Sequence, residues 1–323
     1  MGREFRLQPC PFNQIEKGRK LTAFRIRVRP SAVRETALKR SAFLCLLAGA
    51  VGIAFAPLFV RWSEVGPSAT AFYRLLLALP VFAFWQARHP GGTPASDRSA
   101  SGWALALPGL FFAGDLALWH WSIRLTSVAN ATLFVNLAPI FVTLGARILF
   151  LERITAGFLL GLVLALGGAL LVVGNSLGLA HRHVVGDLLG VATAVFYAGY
   201  LLSVKYVRRH HSTVKVMIAS SLSACPVLLV LAALSGETLV PFSATGWGTL
   251  VALALVSQIG GQGLIAYAFA LLPASFSSVS LLTQPVVAAL LAWLVLHEPL
   301  HPLQALGGMV VLTGIAVASR ASR

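Results

Sequence analysis

The sequence predicts an all-α integral membrane protein with ten transmembrane helices, arranged as two inverted-topology repeats of five helices each. Three observations support this prediction. Only 11% of the 323 residues are charged and 57% are hydrophobic, whereas about 25% of the residues in an ordinary soluble domain are charged. Apolar runs of about 20 residues recur along the chain, and about 20 helical residues cross a hydrocarbon core. The second half of the chain also repeats the pattern of the first.

The first 40 residues differ from the rest because they hold 11 Lys/Arg and 3 Glu. We predict that residues 1–40 form a basic cytoplasmic tail, which is either disordered or the product of an overlong gene start. Much of the net charge of +15 lies in this tail, so the charge does not form one basic face and no nucleic-acid partner is predicted. Cys10, Cys45 and Cys225 are isolated, which predicts neither a metal site nor a disulfide framework. No cofactor is predicted either.

Ten apolar runs follow the tail, each bounded by charged residues, Pro or Gly. Those of the first half are Ala42–Val60, Ser68–Trp85, Trp103–Ile123, Ala129–Ala146 and Ile154–Val173. Those of the second half are Leu188–Val204, Val214–Leu234, Gly248–Leu271, Phe276–Leu296 and Gln304–Ala318. The linkers are short, and the longest (86–102) is rich in Gly, Pro and Ser. The predicted repeats are therefore residues 41–174 and 186–319.

Basic residues predict the orientation of these helices. With the amino terminus inside, the cytoplasmic segments hold 21 Lys/Arg and the outer loops hold 3. Cytoplasmic loops of membrane proteins carry this excess. We therefore predict a multi-pass protein of the cell (inner) membrane with both termini in the cytoplasm and the lipid bilayer as its surroundings.

A shift of 146 residues aligns the two halves without a gap. Identical residues at the aligned positions are Pro139 with Pro285, Leu144 with Leu290, Ala146 with Ala292, Glu152 with Glu298, Gly161 with Gly307, and Gly168 with Gly314. A shift of 144 residues also places V-R-W (60–62) on V-K-Y (204–206). Because five is odd, the second repeat would enter the membrane from the opposite side, as in transporters whose substrate site lies near the midplane between the repeats.

The paired segments 127–173 and 275–318 share a helix with a central Pro, a Glu at its end and a Gly-spaced helix. This pairing resembles the duplicated EamA domain of the drug/metabolite transporter superfamily, and segments 68–82 and 186–202 resemble its second and sixth helices. The resemblance implies a ten-helix carrier that exports small metabolites, amino acids or drugs.

Asp115 is the sharpest candidate for a site residue, because an Asp in the middle of a membrane helix is costly and must face protein or water. Trp119 and Ser122 follow on the same helical face. We expect either a cavity or proton-relay role for Asp115, or a structural hydrogen bond. Arg74 could offer a cation to the substrate or to Asp115, or could reach the membrane surface.

In the fourth run, Thr132, Asn136, Pro139 and Thr143 form one polar stripe, with Pro139 and its equivalent Pro285 as predicted hinges. Gln258 and Gln262 share a face among glycines, which predicts either helix packing or substrate binding. Tyr197, Tyr200 and Tyr267 are weaker candidates.

These patterns favour a secondary transporter that exports a small metabolite, amino acid or drug-like solute by alternating access, with a proton gradient as a candidate driving force. The alternative is an integral-membrane enzyme that uses Asp115 and His120. These two residues are five positions apart and do not share a helical face. The chain has no G-x-S-x-G, H-E-x-x-H or P-loop motif. We therefore predict that the protein is not an enzyme.

Overall fold

The computed structural model describes residues 32–89, 102–125, 134–174, 184–297 and 301–322, and the regular structure in these residues is all helical. Ten spans follow one another, which we label α1 to α10. In the first half they are α1 (Ala32–Ala54, continuing as Ala56–Trp62), α2 (Pro67–Leu76, continuing as Leu79–Arg88), α3 (Leu107–Leu125), α4 (Ala138–Leu149) and α5 (Ala156–Gly174). In the second half they are α6 (Val184–Val207), α7 (Thr213–Leu234), α8 (Ala244–Leu271), α9 (Ala274–Ser280, continuing as Thr283–Leu296) and α10 (Pro302–Ala321).

Seven of these spans are long and apolar enough to cross a membrane, and the other three (α3, α4 and α5) correspond to shorter apolar helices at Trp103–Trp119, Ala138–Leu149 and Ala156–Val172. Large apolar side chains cover their outer faces as well as their inner ones; Leu144, Leu159 and Val163 are about half or more exposed. Helices satisfy their own backbone hydrogen bonds, so such apolar outer faces suit the hydrocarbon of a bilayer. The prediction of an all-helical, multi-pass membrane protein is confirmed.

One boundary differs from the sequence prediction. Helix α1 begins at Ala32, inside the stretch that we predicted as a tail. Residues 32–41 contain neither Gly nor Pro, so nothing in their composition ends the helix before the apolar run.

Four of the spans are interrupted near a proline. The breaks lie at Phe55 in α1, at 77–78 in α2, just before α4 at 136–137, and at 281–282 in α9. Each is followed within four residues by Pro57, Pro80, Pro139 or Pro285, which cannot donate a backbone hydrogen bond to the preceding turn. Helix α8 is distorted differently, by a π-helical segment over Leu253–Gln262, and such segments are frequent at functional sites.

Helices α5 and α10 pack closely through four glycines. A Cβ atom on Gly161 would lie 2.7 Å from the carbonyl oxygen of Gly314, and one on Gly168 would lie 2.7 Å from that of Gly307. The first glycine of α5 (Gly161) meets the second glycine of α10 (Gly314), and the second of α5 (Gly168) meets the first of α10 (Gly307). The two helices therefore run antiparallel. The 146-residue shift exchanges these two contacts, so the interface maps onto itself.

Several other helix contacts follow the same rule. Helix α3 packs on α6 and α1 packs on α8; α4 packs on α6 and α1 packs on α9. In each case the second contact is obtained from the first when every helix is replaced by its equivalent in the other repeat, so that α3 becomes α8, α4 becomes α9 and α6 becomes α1. Contacts between α2 and α7 and between α4 and α9 map onto themselves. This pattern is what two equivalent units related by a twofold rotation produce.

Candidate functional site: a cavity between the repeats

A cavity of about 760 Å³ lies between the two halves of the chain. Helices α1 to α3 and the segment just before α4 of the first half, together with α7, α8 and α9 of the second half, supply its walls. A volume of this size lies within the usual range for small-molecule sites. The walls are mostly apolar, and a few polar side chains project from them.

The cavity opens at one end of the helix bundle. It extends from buried Arg74 and Asp115 to Arg61, which is exposed at the end of α1. Glu237, in the loop after α7, also lines this end. The loops between α1 and α2 and between α7 and α8 therefore surround the mouth.

Arg74 is only 8% exposed and is held in a fixed position. Its Nε donates a hydrogen bond of 2.9 Å to Oε1 of Gln258, and its guanidinium lies 5.6 Å from the ring centroid of Phe112. Gln258 belongs to the π-helical segment of α8, which brings its amide toward α2. The Nη2 atom of Arg74 is buried and has no hydrogen-bond partner among the described residues.

Asp115 lies on the same cavity wall and is 7% exposed. It is close enough to interact electrostatically with Arg74 and Tyr197, but within the described residues the two charged groups form no salt bridge. Trp119, one turn farther along α3, also lines the cavity. Ser122 does not, because its hydroxyl donates to the carbonyl of Gly186 on α6.

Asn136 and Gln284 lie where α4 and α9 are broken, and both line the cavity. Both side-chain nitrogens are buried, and that of Asn136 has no hydrogen-bond partner in the described part of the chain. Gln284 has a side-chain hydrogen bond with Tyr197, and Tyr197 lines a second space of about 40 Å³ that shares Asn136 and Gln284 with the main cavity.

Sequence reasoning missed Gln284, although its position directly before the hinge Pro285 was an available signal. Pro285 lines the main cavity and Pro139 lines the smaller space. Each predicted hinge therefore borders one of the two spaces.

Other candidates are elsewhere. Gln262 is buried, and its Oε1 accepts a hydrogen bond of 3.3 Å from the Tyr200 hydroxyl instead of facing the cavity. Tyr267 is 36% exposed on the surface of α8 and lines neither space. Thr132 and the side chain of His120 lie outside the described residues.

The opposite end of the bundle is closed by a cluster around Glu152, which we name the Glu152 latch. The Glu152 carboxylate accepts hydrogen bonds from the backbone N–H of Ala274 at 2.7 Å and from the backbone N–H and hydroxyl of Ser275 at 3.1 and 2.6 Å. Lys205 Nζ lies 3.3 Å from the carboxylate and donates to the carbonyl of Leu272. The latch therefore ties the α4–α5 loop to α6 and to the start of α9.

The pKa of Glu152 reflects these contacts. Burial raises the pKa, but the hydrogen bonds from Ser275 and Ala274 and the charge of Lys205 outweigh it, so the pKa lies below its ordinary value. The carboxylate is thus stabilised in its ionised form.

Comparison with known proteins identifies both halves of the chain. The EamA-like transporter family matches residues 40–174 and again residues 184–320. The two matches correspond to the two halves that surround the cavity.

Several curated proteins are similar over most of this chain. The pseudopaline exporter CntI of Pseudomonas aeruginosa (strain PAO1) is 26% identical over 220 residues, which cover 68% of this chain and 75% of that protein. An uncharacterized transporter of Archaeoglobus fulgidus is 25% identical and is covered to 87%, over 78% of this chain. A probable terminal-alkyne amino-acid exporter of Streptantibioticus cattleyicolor is 27% identical, over 63% of this chain and 68% of that protein.

A solved crystal structure shares the fold, with a TM-score of 0.72 and 20% sequence identity. The similarity covers 91% of this chain and 99% of that one.

Proposed function

The chain belongs to the EamA-like transporter family, and from that premise we propose that it is a secondary carrier that exports a small metabolite, amino acid or drug-like solute by alternating access. The observation that carries the proposal is a cavity of about 760 Å³ between the repeats, open at one end and closed at the other by the Glu152 latch. Two of the relatives are named as exporters, one as a pseudopaline exporter and the other as a probable terminal-alkyne amino-acid exporter, which supports export as the direction.

An inverted-topology repeat would make this mechanism possible. The antiparallel glycine contacts of α5 with α10 support a twofold axis perpendicular to these helices, and hence parallel to the membrane plane. If each repeat adopts the conformation that the other has now, the cavity closes at its present mouth and opens at the opposite end of the bundle.

The Glu152 latch has a counterpart in the sequence of the other repeat. Glu298 is equivalent to Glu152, and Arg61 is equivalent to Lys205. Arg61 now lies at the open mouth, and Glu298 lies outside the described residues. When the cavity turns to the other side, Arg61 and Glu298 are the residues that would close the present mouth.

Lys/Arg residues support an orientation for the two ends. The latch end carries Lys205, Arg208 and Arg209, and such an excess is typical of the cytoplasmic side. The cavity mouth would then face outward, which is the conformation from which an exporter releases its solute.

Asp115 is our candidate for coupling transport to a proton gradient. It is an acidic side chain that lines the cavity in the membrane-spanning part of α3, and such residues in transporters often relay protons. A cationic group of the solute would compete with the proton for the same carboxylate, which is what proton-driven export requires.

The proposal is tested with purified protein in proteoliposomes. We expect uptake or efflux of at least one member of a panel of metabolites, amino acids and drug-like solutes, and a higher rate when a proton gradient is imposed. Failure of every solute to move faster than in protein-free liposomes would contradict the transport function.

A further inference from the structure

Two buried side-chain nitrogens around the cavity, Nη2 of Arg74 and Nδ2 of Asn136, have no acceptor in the described residues. Gln284 lines the cavity with them, and its amide, which has two N–H groups, has one side-chain partner, Tyr197. The three residues come from α2, from the turn before α4 and from α9, and therefore from both repeats. Buried donors are normally paired, so donors that border an open cavity indicate where an acceptor from a ligand would fit.

Arg74 is the strongest of these donors. Its Nε is already bound to Gln258 at 2.9 Å, and Phe112 lies beneath its guanidinium. The side chain is therefore held in place before a ligand arrives. A guanidinium with one edge fixed presents its remaining N–H groups in a plane, and this geometry matches the two oxygens of a carboxylate.

We propose that Arg74, Asn136 and Gln284 form a carboxylate subsite, so that the transported solute carries a carboxylate group. This inference rests on the transport function proposed above and names the substrate class of the same site. Asn136 and Gln284 add neutral N–H donors from the broken ends of α4 and α9, so the carboxylate would bridge the two repeats.

Asp115 and the apolar walls restrict the rest of the solute. Asp115 lies on the same wall as Arg74, so it repels additional negative charge and favours a solute whose remaining part is neutral or cationic. Trp119 and Leu116 also line the cavity and would contact an apolar portion. A singly charged organic acid fits these requirements better than a phosphate, which carries up to two charges.

The test compares acids with their uncharged amides. Binding of L-norleucine, L-norleucinamide, hexanoate and hexanamide to the purified full chain is measured by isothermal titration calorimetry. We expect each acid to bind at least tenfold more tightly than its matched amide, a difference of about 1.4 kcal/mol. Equal binding in both pairs, or no binding of either acid, would overturn the inference.

Near-isosteric variants assign the effect to the subsite. Asn136→Asp and Gln284→Glu replace a donor nitrogen by an acceptor oxygen and add a negative charge, so each should weaken hexanoate binding at least tenfold while uncharged hexanamide binds as before. Gln86→Glu is the matched control, since it makes the same change from amide to acid on α2 at a residue that lines neither space, and it should retain the preference for acids. Thermal melting of each variant verifies that the protein is folded. A preference for acids that survives both acidic variants would overturn the assignment to these residues.

Failure of this inference and failure of the proposed function are distinguishable. Transport of solutes without a carboxylate, together with equal binding of acids and amides, would leave a carrier and remove the subsite. Selective acid binding without transport of any solute would leave the subsite and remove the carrier.

Discussion

Replacement of Glu152 by Gln should open the closed end of the bundle. The change keeps the shape of the side chain but removes its charge and one of its two acceptor oxygens. The backbone N–H groups of Ala274 and Ser275 donate to different oxygens of the carboxylate, so one of these donors would face an NH₂ group. The ion pair with Lys205 would also be lost.

The size of the effect follows from these contacts. A hydrogen bond to a charged group contributes about 1.5–3 kcal/mol, and a partly exposed ion pair contributes about 0–1 kcal/mol. The closed end should therefore be destabilised by about 3 kcal/mol, which corresponds to a roughly 100-fold shift in the equilibrium between closed and open ends.

The assay measures the accessibility of a cysteine behind the latch. Ser278, which lines the small space beyond the cavity, is changed to Cys in a chain without its native cysteines. The rate of labelling by an impermeant maleimide from the latch side should rise by up to roughly 100-fold in Glu152→Gln. Arg153→Gln, which removes an exposed charge from the same loop, is the control and should leave the rate unchanged. Equal labelling of both variants would refute the role of the latch.

The pH dependence of the same labelling has a definite sign. Because the pKa of Glu152 is lowered in the folded protein, the latch is fully formed above the ordinary Glu pKa of about 4.3 and is lost only as the pH falls through the lower folded value. Maleimide reacts with the thiolate, whose fraction rises with pH, so the rate for Ser278→Cys is divided at each pH by the rate for the same cysteine in Glu152→Gln. This ratio should be constant between about pH 6 and pH 8. A change in the ratio within that range would show that another group controls this end.

Three further predictions concern coupling, packing and topology. In proteoliposomes, Asp115→Asn should abolish transport driven by a proton gradient. If solute exchange without a gradient survives, Asp115 has a coupling role; if exchange is also lost, Asp115 binds a cationic group of the solute. Normal transport per folded molecule with a lower folded yield would remove Asp115 from the site. Gly161→Ala should lower folded yield, because its Cβ would lie 2.5 Å from the backbone nitrogen of the facing helix α10, whereas Gly167→Ala, with open space around it, should not; equal yields would contradict the packing. A membrane-impermeant thiol reagent added to intact cells should label Glu298→Cys, whereas Glu152→Cys should be labelled only after the cells are opened. Labelling of both cysteines from one side would contradict the inverted repeat.

Much of the fold was predictable because each helix that crosses a bilayer needs about 20 apolar residues, and such runs are easily seen in a sequence. Ten apolar runs and the 146-residue shift lie in the sequence itself, and the glycines that the shift aligned are the ones that meet between α5 and α10. Helix ends were less predictable. Pro30 and Ser31 directly before Ala32 are residues that commonly precede a helix, but the apolar run on which the prediction depended begins only at Ala42.

The candidate site was partly predictable for a related reason. A charged or amide side chain is conspicuous within an apolar helix, so Arg74, Asp115, Asn136 and Gln258 could be selected from their positions alone. Their partners could not, because the bond from Arg74 to Gln258 joins residues that are far apart in the chain. Gln284 has no helical periodicity with other polar residues of the cavity, since a helix break separates it from the preceding turn.

The Glu152 latch was also beyond sequence reasoning. A Glu at a helix end is ordinarily satisfied by water or by a nearby helix terminus, and its sequence equivalence to Glu298 gives no partner. The hydrogen bonds to Ala274 and Ser275 depend on tertiary packing, more than a hundred residues along the chain.

Reversible locking of the latch end tests alternating access most directly. Glu152→Cys and Ser275→Cys, combined in a chain without native cysteines, are joined by a short cleavable thiol cross-linker, since the two side chains are in direct contact. Transport in proteoliposomes should stop after cross-linking and return when the linker is cleaved, while each single-cysteine variant should be insensitive to the reagent. Undiminished transport with this end locked would contradict alternating access.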